Sequence, residues 1–183
     1  MNERKYYMDV VKKFNKKLKK IKVFITDVDG ILTDGKIHWD GHDIGFNRSF
    51  HALDGYGMKI LKQAGIKIGL ITGGDSNSVK VRAEYLKMDY IFVGTEDKRH
   101  ALDKILSDGF KEEEILYMGD EFFDLPILMR VGFSATVPNA SWEIKKEVDY
   151  ITRAQSGEGC VREVIDLVRY AQKIVPKIEG YNA

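Results

Sequence analysis

Short apolar runs rich in β-branched residues alternate with amphipathic helical segments from residue 21 onward. The runs that predict strands cover residues 21–26, 66–71, 90–93, 115–118 and 133–137. Between them, apolar residues recur at helical spacing, and a final helix is marked by residues 161–171. Strands separated by helices of this length pair in parallel through right-handed crossovers. The pattern therefore predicts an α/β fold, a Rossmann-like parallel sheet with helices on both faces.

Two segments depart from this alternation. In residues 1–20, lysines surround apolar positions at helical spacing, which predicts a basic amphipathic N-terminal helix with Tyr7, Val11, Phe14 and Leu18 on one face. Residues 36–50 place apolar side chains on either side of Asp40-Gly41-His42, which predicts a β-hairpin inserted between a strand and a helix. We find no repeat or flexible linker, and expect residues 21–183 to form one domain without a separate cap domain.

The composition agrees with one globular domain. The 183 residues include 44% hydrophobic residues and three prolines, which excludes disordered and collagen-like chains. Cys160 is the single cysteine, so an internal disulfide or a cysteine-only metal site cannot form. Because no apolar run approaches the roughly 18 residues of a membrane span, we expect a cytoplasmic protein without a membrane partner.

The net charge of +1 conceals an uneven distribution. Residues 1–22 hold nine Lys and Arg against two acidic residues, whereas the rest of the chain holds twenty against twenty-six. A basic leader can bind nucleic acid, in a salt-dependent manner. The apolar spacing within the leader instead favours packing on the body or on a neighbouring subunit, and we expect no nucleic-acid partner.

Acidic residues follow two of the predicted strands at the edge where ligands bind in open α/β sheets. Asp27 and Asp29 follow the first strand, and Asp120 and Asp124 follow the strand at 115–118. If the chain stays extended, residues two apart point to the same side, so the carboxylates of Asp27 and Asp29 would share one pocket. Neighbouring carboxylates require a cation, and a set of oxygen ligands without histidine or cysteine suits Mg²⁺. Magnesium in turn indicates phosphate chemistry.

The same sheet edge provides the other groups that phosphoryl transfer needs. Asp27 can attack phosphorus to form an aspartyl-phosphate, and Asp29 can act as general acid and then as general base. Thr72, which follows the second strand, can hold a phosphoryl oxygen with its hydroxyl. Lys98, at the start of a predicted helix, can neutralise charge that develops during transfer.

The order of these motifs resembles the haloacid dehalogenase superfamily. The series consists of residues 27–35 (DVDGILTDG), Ile71-Thr72-Gly73, Lys98, and residues 119–124 (GDEFFD). It is most similar to the capless phosphatases that act on 3-deoxy-D-manno-octulosonate 8-phosphate, and the likeness extends to about residue 170. The resemblance implies a HAD-like fold and a Mg²⁺-dependent phosphatase of lipopolysaccharide biosynthesis.

The resemblance also implies a role for each site residue. Asp27 would be nucleophile and metal ligand, and Asp29 would be the acid/base, with its backbone carbonyl also on the metal. Asp120 would complete the metal site. Thr72, supported by Gly73, would hold the phosphoryl group; Lys98 would bridge nucleophile and phosphate, and Asp124 would orient Lys98 or metal-bound water.

The substrate-binding residues are less sharply indicated. Arg82 and Arg162 could grip the carboxylate of a sugar acid, and the segment that begins at Asp54 (DGYG) matches the octulosonate phosphatases. The chain departs from those phosphatases at Leu53, Gly74 and Glu158, where they usually carry Arg. Glu158 is more similar to phosphatases of nonulosonate 9-phosphates, which is the alternative substrate class.

The hairpin is too small to close a pocket alone, and the resemblance implies a homotetramer in which a neighbouring subunit supplies the lid. In such tetramers a C-terminal loop, here residues 155–160, reaches into the adjacent active site. Two other classes of function stay open from the sequence. A phospho-acceptor signalling domain also combines strand-end acids with Thr and Lys but does not need Asp29. A non-catalytic oligomerisation module does not need Lys98.

Overall fold

The computed structural model describes residues 3–177 and shows a parallel sheet of six strands flanked by helices. The strand β1 (Val23–Thr26) is followed by a hairpin of β2 (His38–Trp39) and β3 (Phe46–Asn47). The other strands of the main sheet are β4 (Lys67–Ile71), β5 (Tyr90–Phe92), β6 (Ile115–Met118), β7 (Phe133–Thr136) and β8 (Tyr150–Ile151). Their order is β5-β4-β1-β6-β7-β8, and all pairs are parallel. The predicted α/β fold is therefore confirmed.

The helices connect the strands and cover the sheet. They are α1 (Glu3–Leu18), α2 (Ala52–Gln63), α3 (Asn77–Tyr85), α4 (Arg99–Ser107), α5 (Leu125–Leu128), α6 (Trp142–Lys145) and α7 (Cys160–Gln172). Both α1 and α2 pack against α7, and Val11 and Leu18 of α1 are buried there. The amphipathic leader thus packs on its own chain. Over residues 3–177, no helix is long and apolar enough to cross a membrane.

The register of the central strands brings their carboxyl ends together. All four residues of β1 and of β6 are buried, as expected of parallel strands covered on both faces. Thr26, the last residue of β1, lies beside Leu70 of β4 and Met118 of β6. The residues that follow these three strands therefore leave the sheet at one edge.

Some elements are shorter than their sequence patterns indicate. The hairpin predicted over residues 36–50 has strands of only two residues each, with the polar residues between them in turns. β8 is also two residues long, and no apolar run in the sequence predicts it. β1 ends at Thr26, and residues 28–30 form a bend and a turn, so the premise of an extended chain through Asp29 is wrong.

Candidate active site

A lysine lies between two carboxylates at the carboxyl edge of the sheet. Asp27 directly follows β1, Lys98 immediately precedes α4, and Asp124 ends the short 3₁₀ turn Phe122–Asp124 after β6. The Lys98 ammonium donates to Asp27 Oδ1 at 2.6 Å and to Asp124 Oδ1 at 2.7 Å. The side chains of Lys98 and Asp124 are 0% exposed and that of Asp27 is 3% exposed. Such buried charges persist only when they are paired.

Asp124 is fixed by neighbours on every side. The Tyr117 hydroxyl donates to Asp124 Oδ1 at 2.6 Å and accepts from Lys98 Nζ at 3.2 Å. Asp124 Oδ2 accepts from the backbone N–H groups of Asp120 and Glu121 at 3.0 and 3.1 Å. These contacts hold Asp124 against Lys98, and the role of Asp124 in orienting Lys98 stays a prediction.

The acids at this edge are crowded, and burial shifts their pKa values. Asp27, Asp120 and Asp124 each offer an oxygen within 4.8 Å of the others. Burial raises the pKa of Asp27 to about 8, with Lys98 opposing the shift and Asp124 adding to it. Burial also raises the pKa of Asp120 to about 7, to which the charge of Asp124 contributes. When all three carboxylates are ionised, the cluster carries more negative charge than Lys98 alone neutralises.

The residues present fit a magnesium ion. Asp120 Oδ1 is buried and has no hydrogen-bond partner within residues 3–177, so one carboxylate oxygen is available to a cation. Carboxylates are the hard oxygen ligands that Mg²⁺ prefers. Gly30, at φ +97°, leaves room for Asp120, because a Cβ at position 30 would collide with that carboxylate. Asp27 and Asp120 would be the carboxylate ligands. Coordination of the ion by the backbone carbonyl of Asp29 stays a prediction.

Asp29 lies outside this acidic cluster and is held by an arginine. Arg48, which directly follows β3, donates from Nε to Asp29 Oδ1 at 2.5 Å and from Nη2 to Asp29 Oδ2 at 2.8 Å. The turn at 28–30 brings the Asp29 side chain to Arg48, and Asp29 is not among the three carboxylates that lie within reach of one cation. Whether Asp27 and Asp29 share one pocket stays a prediction. A carboxylate apart from the metal cluster remains suited to acid and base work.

The turn after β4 lies next to Asp29. Thr72 is buried, and its hydroxyl accepts from the Gly74 N–H at 3.1 Å. A Cβ built at Gly74 would lie 3.4 Å from Asp29 Oδ2 and 3.6 Å from the Thr72 hydroxyl oxygen. Gly73 leaves space for Glu96, which such a Cβ at position 73 would approach at 3.2 Å. The structure thus brings Thr72 and Asp29 to one rim, as their positions in the sequence predict.

The four predicted substrate residues have contacts of their own. Arg162 pairs through Nε with Asp166 at 3.0 Å, and its backbone N–H donates to Asp54 Oδ1 at 2.7 Å. Asp54 is buried, which raises its pKa to about 6. Arg82 packs over the Phe50 ring at 5.8 Å, and Glu158 is exposed in a cleft of about 370 Å³ that it shares with Arg162. Among the described contacts, none of the four hydrogen-bonds to Asp27, Asp29 or Lys98, and their substrate roles stay predictions.

Two residues of the site, Arg48 and Tyr117, are not indicated by any motif in the sequence. Arg48 is the only arginine between residues 5 and 81, but no local pattern links it to Asp29 across 19 positions. Tyr117 lies in a fully buried strand, where an aromatic residue is typical of the core. A buried tyrosine hydroxyl needs a hydrogen-bond partner, and this need is the one indication that Tyr117 contacts polar residues of the site.

The comparisons with known proteins agree with this geometry. A family model described as haloacid dehalogenase-like hydrolase matches residues 79–165. A 3-deoxy-D-manno-octulosonate 8-phosphate phosphatase of Haemophilus influenzae is 37% identical over 157 residues, which cover 85% of this chain and 87% of the relative. The corresponding enzyme of Yersinia pestis is 34% identical over 87% of this chain and 84% of its own.

Solved structures lead to the same group. The phosphatase of that name from Moraxella catarrhalis, in complex with magnesium, phosphate and KDO, superposes with a TM-score of 0.84 at 38% identity, over 88% of this chain and 92% of the other. A cobalt-bound form of the Haemophilus influenzae phosphatase has a TM-score of 0.81 at 37% identity, over 86% of this chain and 92% of the other. The chain therefore belongs to the haloacid dehalogenase-like hydrolases, in the family of the 3-deoxy-D-manno-octulosonate 8-phosphate phosphatases.

Proposed function

We propose that the protein is a magnesium-dependent phosphatase that hydrolyses 3-deoxy-D-manno-octulosonate 8-phosphate through an aspartyl-phosphate on Asp27. The observation that carries this proposal is the buried Lys98 ammonium between Asp27 and Asp124, at 2.6 and 2.7 Å. A lysine in this position holds the carboxylate of Asp27 in one orientation and offers positive charge to an entering phosphoryl group. The relatives named above, which cover most of the chain, support the sugar-acid phosphate as substrate.

In the first half of the reaction, a carboxylate oxygen of Asp27 forms a bond to phosphorus. The bond between phosphorus and the sugar oxygen breaks, its electron pair goes to that oxygen, and Asp29 supplies the proton. The Thr72 hydroxyl and Lys98 hold the phosphoryl oxygens during the transfer. In the second half, Asp29 takes a proton from the water that attacks phosphorus, and phosphate leaves from Asp27.

Asp27 and Asp120 would hold the magnesium ion. When bound, the ion supplies positive charge that offsets these carboxylates and the phosphoryl oxygens. Burial raises the pKa of Asp27 to about 8, and beside a bound cation this carboxyl would be ionised and therefore nucleophilic.

Phosphate release from 3-deoxy-D-manno-octulosonate 8-phosphate tests the proposal directly. We expect many turnovers in the presence of Mg²⁺, and loss of activity by at least about 10³-fold in Asp27→Asn or with EDTA, because nucleophile or counter-charge is missing. Asp9→Asn, which alters an exposed acid on α1, is the control and should stay fully active. Full activity in Asp27→Asn would contradict the mechanism. A stable phospho-protein without free phosphate would instead support a signalling domain, and an inert protein a non-catalytic module.

A nonulosonate 9-phosphate is the second candidate substrate. Glu158 lies with Leu53 and Arg162 in the cleft of about 370 Å³, where a carboxylate and an apolar side chain would receive the part of the sugar remote from phosphorus. We expect kcat/KM for the eight-carbon substrate to exceed that for the nine-carbon substrate. The opposite order would assign the enzyme to the nine-carbon class. Glu158→Gln should change the ratio of the two values more than the activity on a small phosphate ester.

We also propose a homotetramer in which hairpins of neighbouring subunits pack together and complete the lid. The hairpin exposes 51–61% of each of four apolar side chains, namely Ile37, Trp39, Ile44 and Phe46. The loop 155–160 lies against its own subunit, since the Gly157 N–H donates to the Ile31 carbonyl at 3.1 Å, and whether it also reaches a neighbouring site stays a prediction. The expected location in the cytoplasm likewise stays a prediction.

Sedimentation velocity tests the assembly. Phe46→Lys should dissociate the tetramer, because it places a charge in the apolar contact. Trp142→Lys is the control: Trp142 is 66% exposed but lies on α6, away from the hairpin. A wild-type monomer, or equal dissociation by both variants, would contradict the proposal.

A further inference from the structure

Arg48 links the hairpin insertion to the active site. Its backbone follows β3, which packs against α3, and its guanidinium reaches Asp29 with two parallel hydrogen bonds. A bidentate arginine pair fixes the plane of a carboxylate as well as its position. A carboxylate has about four lone-pair sites, so this pair leaves sites on both oxygens of Asp29 open to a proton.

The burial of the two partners shows which side of Asp29 the arginine occupies. The side chain of Arg48 is 4% exposed, whereas that of Asp29 is 25% exposed. The guanidinium is therefore more deeply buried than Asp29, and part of the Asp29 carboxylate remains exposed. Thr33 adds one weak contact, with its hydroxyl 3.5 Å from Asp29 Oδ1.

Fold stability does not account for this placement of Arg48. Its Nη1 is buried and has no hydrogen-bond partner in the described part of the chain. A buried donor without a partner is costly, and a buried ion pair seldom repays the loss of hydration. The contact with Asp29 therefore explains the placement of Arg48 better than a contribution to stability does.

Gly74 provides the space for the guanidinium. A Cβ at position 74 would lie 2.8 Å from Arg48 Nη2, which is closer than real Cβ contacts allow. Gly74 does not have a left-handed backbone, so an alanine there would be unfavourable only through this collision. A side chain at position 74 would therefore require the Arg48 guanidinium to shift from the position in which it forms both hydrogen bonds to Asp29.

We propose that Arg48 is a positioning residue for the general acid, and that it acts through Asp29 in the space that Gly74 leaves open. This inference rests on the proposed function. Arg48 holds Asp29 so that its proton passes to the sugar oxygen as the bond from that oxygen to phosphorus breaks, and so that Asp29 then accepts a proton from water. Arg48 itself neither gives nor takes a proton.

Substrates with different leaving groups distinguish a positioning role of Arg48 from a purely structural one. A sugar alkoxide needs a proton to leave, whereas p-nitrophenolate leaves without one. In Arg48→Met we expect kcat/KM for the sugar-acid phosphate to fall about 10²-fold and kcat/KM for p-nitrophenyl phosphate to stay within about threefold of wild type. Arg48→Lys keeps the positive charge but cannot form two parallel hydrogen bonds, so it should recover part of the loss.

Two further variants test whether the effect passes through Asp29. In Asp29→Asn, the additional change Arg48→Met should cost nothing more on either substrate. Gly74→Ala should reproduce the loss on the sugar-acid phosphate in the wild-type background but add nothing to Arg48→Met. This variant also keeps the test decisive if Arg48→Met fails to fold.

Equal losses on both substrates, or additive losses in the two double variants, would overturn the proposal. Wild-type rates in both Arg48→Met and Gly74→Ala would overturn it as well. If wild-type protein hydrolyses neither ester, the proposed function has failed, which is a different outcome from an active enzyme that is indifferent to Arg48.

Discussion

Lowering the pH from 8 to 6 should weaken magnesium binding on the order of 10²- to 10³-fold. Burial raises the pKa of Asp27 to about 8 and that of Asp120 to about 7 in the metal-free protein, and both must be ionised to bind the cation. At pH 7 the first carboxyl is mostly protonated and the second is about half protonated, so binding should release between about one and two protons. The affinity should level off above about pH 9.

Isothermal titration calorimetry in buffers of different ionisation enthalpy measures both the affinity and the number of protons released. Asp120→Asn should reduce the proton release, because it removes one of the two titrating groups. The raised pKa values also affect stability in the absence of metal. Because the folded state binds more protons than the unfolded chain, the free energy of unfolding should decrease as pH rises from about 4 to 8. An affinity that is constant between pH 6 and 8, without proton release, would refute this reasoning.

Three substitutions test the packing of the site. Lys98→Met leaves two buried carboxylates without their partner, so the free energy of unfolding should fall by about 3–5 kcal/mol in urea titrations without metal. Mg²⁺ should restore part of this loss. An unchanged free energy of unfolding would contradict a charged Lys98. Tyr117→Phe should cost about 1–3 kcal/mol in the same assay, and a curve that overlays the wild type would show that its hydrogen bonds are not needed. Gly30→Ala should weaken Mg²⁺ affinity, because the added Cβ would collide with the Asp120 carboxylate. Gly41→Ala is the control: Gly41 has a similar positive φ but open space around it, so this variant should lose stability without losing Mg²⁺ affinity. Equal Mg²⁺ affinities in the two variants would refute the steric argument.

The elements that position the catalytic residues were predictable from the sequence. Buried parallel strands appear as continuous apolar runs, and residues 115–118 were placed without error because turn-forming and polar residues bound that run on both sides. Asp27 and Thr72 follow such runs directly, and Asp120 follows one after a single glycine. A rule of sheet topology therefore sufficed to bring them to one edge.

Contacts between segments that share no local pattern were not predictable. The partnership of Arg48 with Asp29 depends on where a loop returns to the sheet, and neither periodicity nor composition records that path. The apolar run also does not show that the strand ends at Thr26 and that the chain turns before Asp29. Substrate-side residues such as Arg162 were chosen by charge alone, and the pairing of Arg162 with Asp166 could not be anticipated.

The order of the sheet separates two kinds of change that this protein can accumulate. Asp27, Thr72 and Asp120 emerge from three adjacent strands in the middle of the sheet, where every shift is resisted by neighbours on both sides. Glu158 and Leu53 lie on the surface, outside that framework. Under the proposed roles of these residues, a lineage with this architecture would acquire a new sugar substrate by a few surface replacements while inheriting the hydrolytic site intact.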